Sequence, residues 1–152
     1  MHYLIERARR RRGRERGFTL VELLVVIVVL AVLGAIVLPK FMDSGTRSRE
    51  SALKSDLKLL RNAVATFQID TGFYPSQLND LAATTAPTKG LTAAAAEATI
   101  TATDWHGPYV QSVPDDPVSG SDFAYGTTSG MVGKVTSSAS GNALDGTTYI
   151  SW

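Results

Sequence analysis

From Leu23 to Leu38 the chain reads LLVVIVVLAVLGAIVL, without one polar side chain. Counted from Phe18, the apolar stretch reaches about 20 residues, the length a helix needs to cross a hydrocarbon core. Its many β-branched residues would suit a buried strand in water, yet strands are rarely that long. In lipid a helix satisfies its own backbone hydrogen bonds, so the pattern predicts a membrane-crossing helix over 18–38. A secretory signal would carry a shorter apolar core and a small-residue cleavage site after it. Here Pro39-Lys40-Phe41-Met42-Asp43 follows instead, which favours a retained span.

Pro39 predicts a helix break, or at least a tolerated kink, because proline has no N–H and clashes with the preceding turn. Beyond it a different pattern begins. Leu53, Leu57, Leu60, Val64 and Phe67 follow at intervals of four, three, four and three, with Lys54, Asp56, Lys58 and Arg61 off the stripe. That spacing places one apolar face on an amphipathic helix over 40–69. Asp70-Thr71-Gly72 before Tyr74-Pro75 is a suitable stop. A helix from Phe18 to Ile69 would be about 75 Å long. Its second half would pack on a small domain and its first half would project from it.

The remainder is broken into short pieces. Residues 75–81 read as a turn leading into a short helix. Residues 82–104 are rich in Ala and Thr and predict a variable loop, with some helix over Ala93–Ala98. From residue 105 to 152, short runs between Gly, Pro and Asp read as strands: Tyr109–Val113, Phe123–Tyr125, Met131–Thr136 and Thr147–Trp152. The expected fold class is therefore α+β, a long N-terminal helix packed on a small domain with a short antiparallel sheet.

Charge sharpens this picture. The chain has 152 residues and a net charge of +1. Residues 1–17 hold seven arginines against two glutamates, a net +5, which leaves −4 for the rest. A segment this basic could bind nucleic acid or anionic lipid. Its place directly before an apolar span favours the membrane, with the basic flank on the cytoplasmic side. Cysteine is absent, so disulfides and thiolate metal sites are excluded.

Two residues at the start of the span carry chemistry. Gly17, without a side chain, leaves the backbone before the span uncovered. Glu22 puts an ionisable carboxylate into a membrane span, which is costly and by default marks function. The alternative for Glu22 is that it reaches back to the interface. The run Arg16-Gly17-Phe18-Thr19-Leu20-Val21-Glu22-Leu23-Leu24 resembles the class III signal of type IV prepilins and type II secretion pseudopilins. The resemblance implies cleavage after Gly17 by a membrane prepilin peptidase and N-methylation of Phe18. It also implies that Glu22 neutralises the N-terminal amine of a neighbouring subunit. Such a pair acts as a register device more than a source of net stability. In that family the proline equivalent to Pro39 lies beside a segment that can lose helicity in the filament.

Further along, Phe67-Gln68-Ile69-Asp70-Thr71-Gly72-Phe73-Tyr74-Pro75 resembles the end of the long helix in major pseudopilins. Trp105-His106-Gly107-Pro108-Tyr109-Val110, Val113-Pro114-Asp115-Asp116-Pro117 and Phe123-Ala124-Tyr125 resemble their strand region, in the same order. Some relatives bind calcium in a C-terminal loop. Here such a site would have to use residues around Asp122 and Asp145, where acidic residues are few, and calcium wants six to eight oxygens.

Enzyme motifs are absent. Gly126-Thr127-Thr128-Ser129-Gly130 misplaces the serine of a nucleophile elbow, and Gly133-Lys134 lacks the rest of a P-loop. His106 stands alone, and Asp115 and Asp116 suit a turn cap. The reading is a structural subunit of a secretion pseudopilus, held in the inner membrane with its C-terminal domain in the periplasm. Expected partners are copies of itself, the prepilin peptidase, an assembly platform and minor pseudopilins, with no nucleic acid. The alternatives are a type IV pilin for adhesion, motility or DNA uptake, and a monomeric membrane-anchored binding module.

Overall fold

The computed structural model describes residues 17–152, with side chains described throughout except at 38–43. The basic leader therefore lies, up to residue 16, outside the described residues. The chain divides into two units, with the boundary after Lys40.

One helix, α1, runs over Leu20–Thr71. Its backbone is helical at Pro39, so the break expected there does not occur in the secondary structure. Proline removes a single donor from the ladder, and flanking turns with helical reasons of their own carry the helix past it. The stop comes at the expected place. Gly72 takes a positive φ of 79°, and its N–H donates to Gln68 O at 2.9 Å. A residue without a side chain adopts this left-handed C-cap at no steric cost.

In the unit from Phe41 onward, the predicted stripe is the buried face of α1. Leu53, Leu57, Leu60, Val64 and Phe67 are all buried, and Ala63 joins them. The core they form also takes in Leu78, Leu81, Ile100, Val110, Phe123 and Tyr149. The same stripe begins and ends on polar residues, Glu50 and Thr71, both buried. Glu50 Oε1 accepts hydrogen bonds from Leu144 N at 2.8 Å and Tyr149 Oη at 2.9 Å. A buried carboxylate is tolerable when donors surround it, and these two tie the C-terminal segment back to the helix. Arg61 does the same further along, donating to Val135 O at 2.7 Å from Nη2 and also to Trp152 O.

Two small antiparallel sheets accompany α1. The first has the order β1 (Tyr74–Pro75), β2 (Lys89–Leu91), β3 (Glu97–Thr99). Tyr74 pairs with Leu91, and Leu91 with Glu97. The second joins β4 (Ala124–Tyr125) to β5 (Val135–Thr136). Between β1 and β2, a 3-10 helix over Leu78–Ala82 fulfils the expected short helix, burying Leu78 and Leu81.

Several expectations need correction. Ala93–Ala98 is not helical. It holds the turn and part of the returning strand of the β2–β3 hairpin, closed by Thr92 N donating to Ala96 O at 2.8 Å. Six residues are too few for an alanine helix to nucleate alone, whereas β2 gains partners on both edges. Tyr109–Val113 is a series of bends. Thr147–Trp152 forms one bridge, Asn142 to Thr148, and then a 3-10 turn over Tyr149–Ser151. Both segments place aromatic side chains against the core, so side-chain burial there comes without a ladder.

Asp116 shows how the irregular region is held. It is fully buried. Oδ1 accepts Val118 N at 2.8 Å and Ser119 N at 3.2 Å, while Oδ2 accepts Ser137 Oγ at 2.5 Å and Ser138 N at 3.1 Å. Burial alone would raise its pKa, but these four bonds to the charged form outweigh burial and hold it below 3.8. A carboxyl depressed on folding adds stability above its unfolded pKa and loses it as pH falls through the folded value. We expect the urea midpoint to hold from neutral pH to about 5 and to drop below about pH 4. Asp116→Asn should lower the midpoint at neutral pH and flatten the acid drop. A variant with the parent's full acid dependence would place that dependence elsewhere.

Candidate functional site: the start of the long helix

The stretch Leu20–Val37 is long and apolar enough to cross a membrane, and none of its residues is buried within the chain. Large side chains such as Leu23, Val26, Ile27, Leu30 and Leu33 are at least half exposed. In water such a surface would be a severe liability, so it is built to be covered by lipid or by other helices.

Glu22 is the only charged side chain in this stretch. Its Oε2 accepts two hydrogen bonds from Thr19, from the backbone N–H and from Oγ1, each at 2.9 Å. The Thr19 hydroxyl oxygen in return accepts Glu22 N–H at 3.2 Å. With α1 starting at Leu20, Thr19 is the N-cap and Glu22 the third helical residue, a reciprocal capping box. Its signature stands in the sequence as Thr19-Leu20-Val21-Glu22. Both bonds go to one carboxylate oxygen. Oε1 takes no hydrogen bond among the described residues and remains open to a further donor.

Gly17 and Phe18 precede the cap. A Cβ built on Gly17 would meet no atom within 4 Å, so nothing in the fold requires a glycine there. Phe18 is 82% exposed.

These features agree with the comparisons. Residues 12–38 match the prokaryotic N-terminal methylation motif, and residues 40–147 match the family model of type II secretion system protein G. The chain belongs to the type II secretion protein G family.

Among its relatives is the type II secretion system core protein G of Klebsiella pneumoniae, 34% identical over 72% of this chain and 73% of that protein. The protein of the same name from Pectobacterium carotovorum is 32% identical over 68% of this chain and 62% of its own length. The type IV major pilin PilA of Myxococcus xanthus is 37% identical, but over 45% of this chain and 31% of the pilin. No solved structure matches.

The other residues singled out from the sequence belong to the unit from Phe41 onward. Asp122 is exposed and lines an open concavity with Ser76, Gln77 and Asn79. Asp145 Oδ1 accepts Thr147 Oγ1 at 2.6 Å and Thr147 N at 2.9 Å, and Oδ2 lies 4.0 Å from Lys54 Nζ. The Thr147 bonds, with Lys54 assisting, hold its pKa below 3.8. Among the described residues no group of three or more His, Asp or Glu gathers. His106 is exposed at a turn, with Nδ1 2.9 Å from Asp104 O and 3.8 Å from Asp70 Oδ2.

Proposed function

We propose that this protein is the structural subunit of a type II secretion pseudopilus and has no catalytic activity. One observation carries the reading: a bare Gly17-Phe18 junction leads into the apolar stretch Leu20–Val37, whose only charge, Glu22, is already oriented by Thr19. Cleavage after Gly17 would free the amine of Phe18, next to the capping box. With Oε2 bound to Thr19 and Oε1 open, Glu22 can keep its own helix capped while it receives the amine of an adjacent subunit. The charge then fixes axial register, and the exposed apolar face of α1 supplies the contact area.

In this reading the protein waits in the inner membrane with residues 39–152 in the periplasm. A prepilin peptidase processes it, and an assembly platform adds it to a homopolymer tipped by minor pseudopilins. Mass spectrometry of the assembled protein should find Phe18 at the N-terminus and methylated. A chain still beginning at Met1, or beginning beyond Leu38, would overturn the reading.

A second reading, a type IV pilin, draws on the Myxococcus xanthus match. Deleting the gene separates the two. Loss of exoprotein release supports the pseudopilus, whereas loss of surface pili with secretion intact supports the pilin.

A further inference from the structure

Residues 62–152 carry eight acidic side chains and only two lysines, Lys89 and Lys134. Lys89 is committed to Glu97, with Nζ 2.6 Å from Oε2. Lys134 has no carboxylate within 4.0 Å among the described residues, and its Nζ rests 3.5 Å from the Met131 sulfur. In a strongly acidic region, an uncompensated ammonium is a local attractor for negative charge.

Lys134 lines an open concavity of about 280 Å³ together with Thr127, Thr128, Met131 and Thr136, and no acidic residue lines it. The hydroxyls of the three threonines make no hydrogen bond among the described residues. One ammonium, held only by the Met131 sulfur, and three hydroxyls without partners among the described residues therefore share one hollow. The β4–β5 loop that carries most of them is fixed beforehand. Gly126 N donates to Lys134 O at 2.8 Å, Met131 N to Thr128 O at 2.9 Å, Gly133 N to Gly126 O at 3.0 Å and Lys134 N to Met131 O at 3.0 Å. A Cβ on Gly126 would fall 2.0 Å from Met131 O, and one on Gly133, at φ +81°, would fall 2.3 Å from the Tyr74 ring. A ligand would pay little to order such a loop.

We propose that this hollow binds a carboxylate side chain on an extended acidic segment of a partner protein, with Lys134 as charge partner and Thr127, Thr128 and Thr136 as donors. One observation favours a peptide carboxylate over a free phosphate: the hollow continues in two directions. It shares Tyr125 and Thr127 with the concavity of Ser76, Gln77 and Asn79, and Lys134 and Thr136 with one reached by Arg61. A row of adjoining hollows suits an extended chain. Asp122 lines the far one, so the bound segment should be acidic over Lys134 and neutral or basic towards Asp122.

The test uses the full chain in detergent micelles and a fluorescein-labelled, end-capped peptide of alternating serine and glutamate. The peptide should bind saturably and more weakly at high salt. Lys134→Gln should weaken binding by about tenfold or more, the expected loss of one charge-assisted hydrogen bond. Lys58→Gln, on an exposed helix position, should leave it unchanged. The basic leader is present in every variant and so contributes equally. Carbodiimide treatment of the complex should join a peptide carboxylate to Lys134 Nζ as an amide, located by mass spectrometry. Coupling spread over all exposed lysines, or unchanged affinity in Lys134→Gln, would overturn the proposal. Displacement of the peptide by an equal concentration of inorganic phosphate would make it a free-oxyanion site and overturn it too.

Discussion

Glu22→Gln should insert into the membrane and lose its leader like the parent, yet yield almost no filament. Glutamine at the third helical position still accepts a hydrogen bond from the Thr19 backbone, so the capping box survives. What disappears is the negative charge. If the carboxylate pairs with a neighbour's N-terminal amine, the variant leaves that amine uncompensated in an apolar bundle, where an unpaired charge is expensive. Glu22→Leu removes charge and cap together and should fail at least as badly. Glu22→Asp keeps the charge with one methylene less reach and should be intermediate. Thr19→Val removes the capping hydroxyl but leaves the carboxylate, and should assemble far better than Glu22→Gln. The measurement is cross-linked or sheared filament from each variant at matched membrane levels. Were Glu22→Gln to assemble as well as the parent, the residue's role would be capping and the pairing mechanism would be wrong.

The second large effect lies in the core under α1. Phe67 is fully buried, and its ring meets Tyr109 edge-on at 5.5 Å between centroids. Phe67→Ala should cost about 3–5 kcal/mol, through lost transfer energy and a cavity that the helix cannot close. Leu60→Ala, also at 0% exposure, should cost about 2–5 kcal/mol. Leu59→Ala is the matched control. Its side chain is 48% exposed, and its loss should stay within about 0.5 kcal/mol. Urea denaturation of a fragment covering residues 46–152, which holds every residue of the core cluster, gives the comparison. Equal losses at positions 59 and 60 would mean that the buried face has been misplaced.

The two results would bear on different parts of one helix. The stretch Leu20–Val37 buries none of its residues among the described residues and presents an apolar surface. The stretch from Glu50 to Thr71 is specified for the domain it carries. The second was legible down to single residues, because a 3.6-residue period leaves little freedom about which side chains share a face. The first was legible because twenty apolar residues have few physical uses.

Pro39 shows the limit of local rules. Its chemistry argues for a break, and the turns on either side outvote it. Ala93–Ala98 shows the same limit from the other side. Alanine favours helix, but the segment pairs with β2, a partner that nothing in its own composition announces. Glu50 is the clearest omission. A glutamate seven residues before Leu57 looks like surface charge, and it is buried only because Leu144 and Tyr149 return to meet it. Asp116 was read as a turn cap, and it is one. Ser137, which completes its shell, comes from 21 residues further along. The Lys134 hollow had no signature at all, since Thr127, Thr128 and Thr136 become neighbours only through the β4–β5 pairing.

What the sequence settled by itself was what local period and length govern: the long apolar helical run, the amphipathic stripe and its stop at Gly72. These depend on interactions within a few residues, or on a run long enough to be unambiguous. What the tertiary structure decided was how the short segments after Tyr74 pair, which polar side chains are buried, and which hydroxyls meet at Lys134. Two- and three-residue strands carry too little pattern to select partners. Their pairing follows from how the chain closes over the buried face of α1, and only the whole domain contains that information.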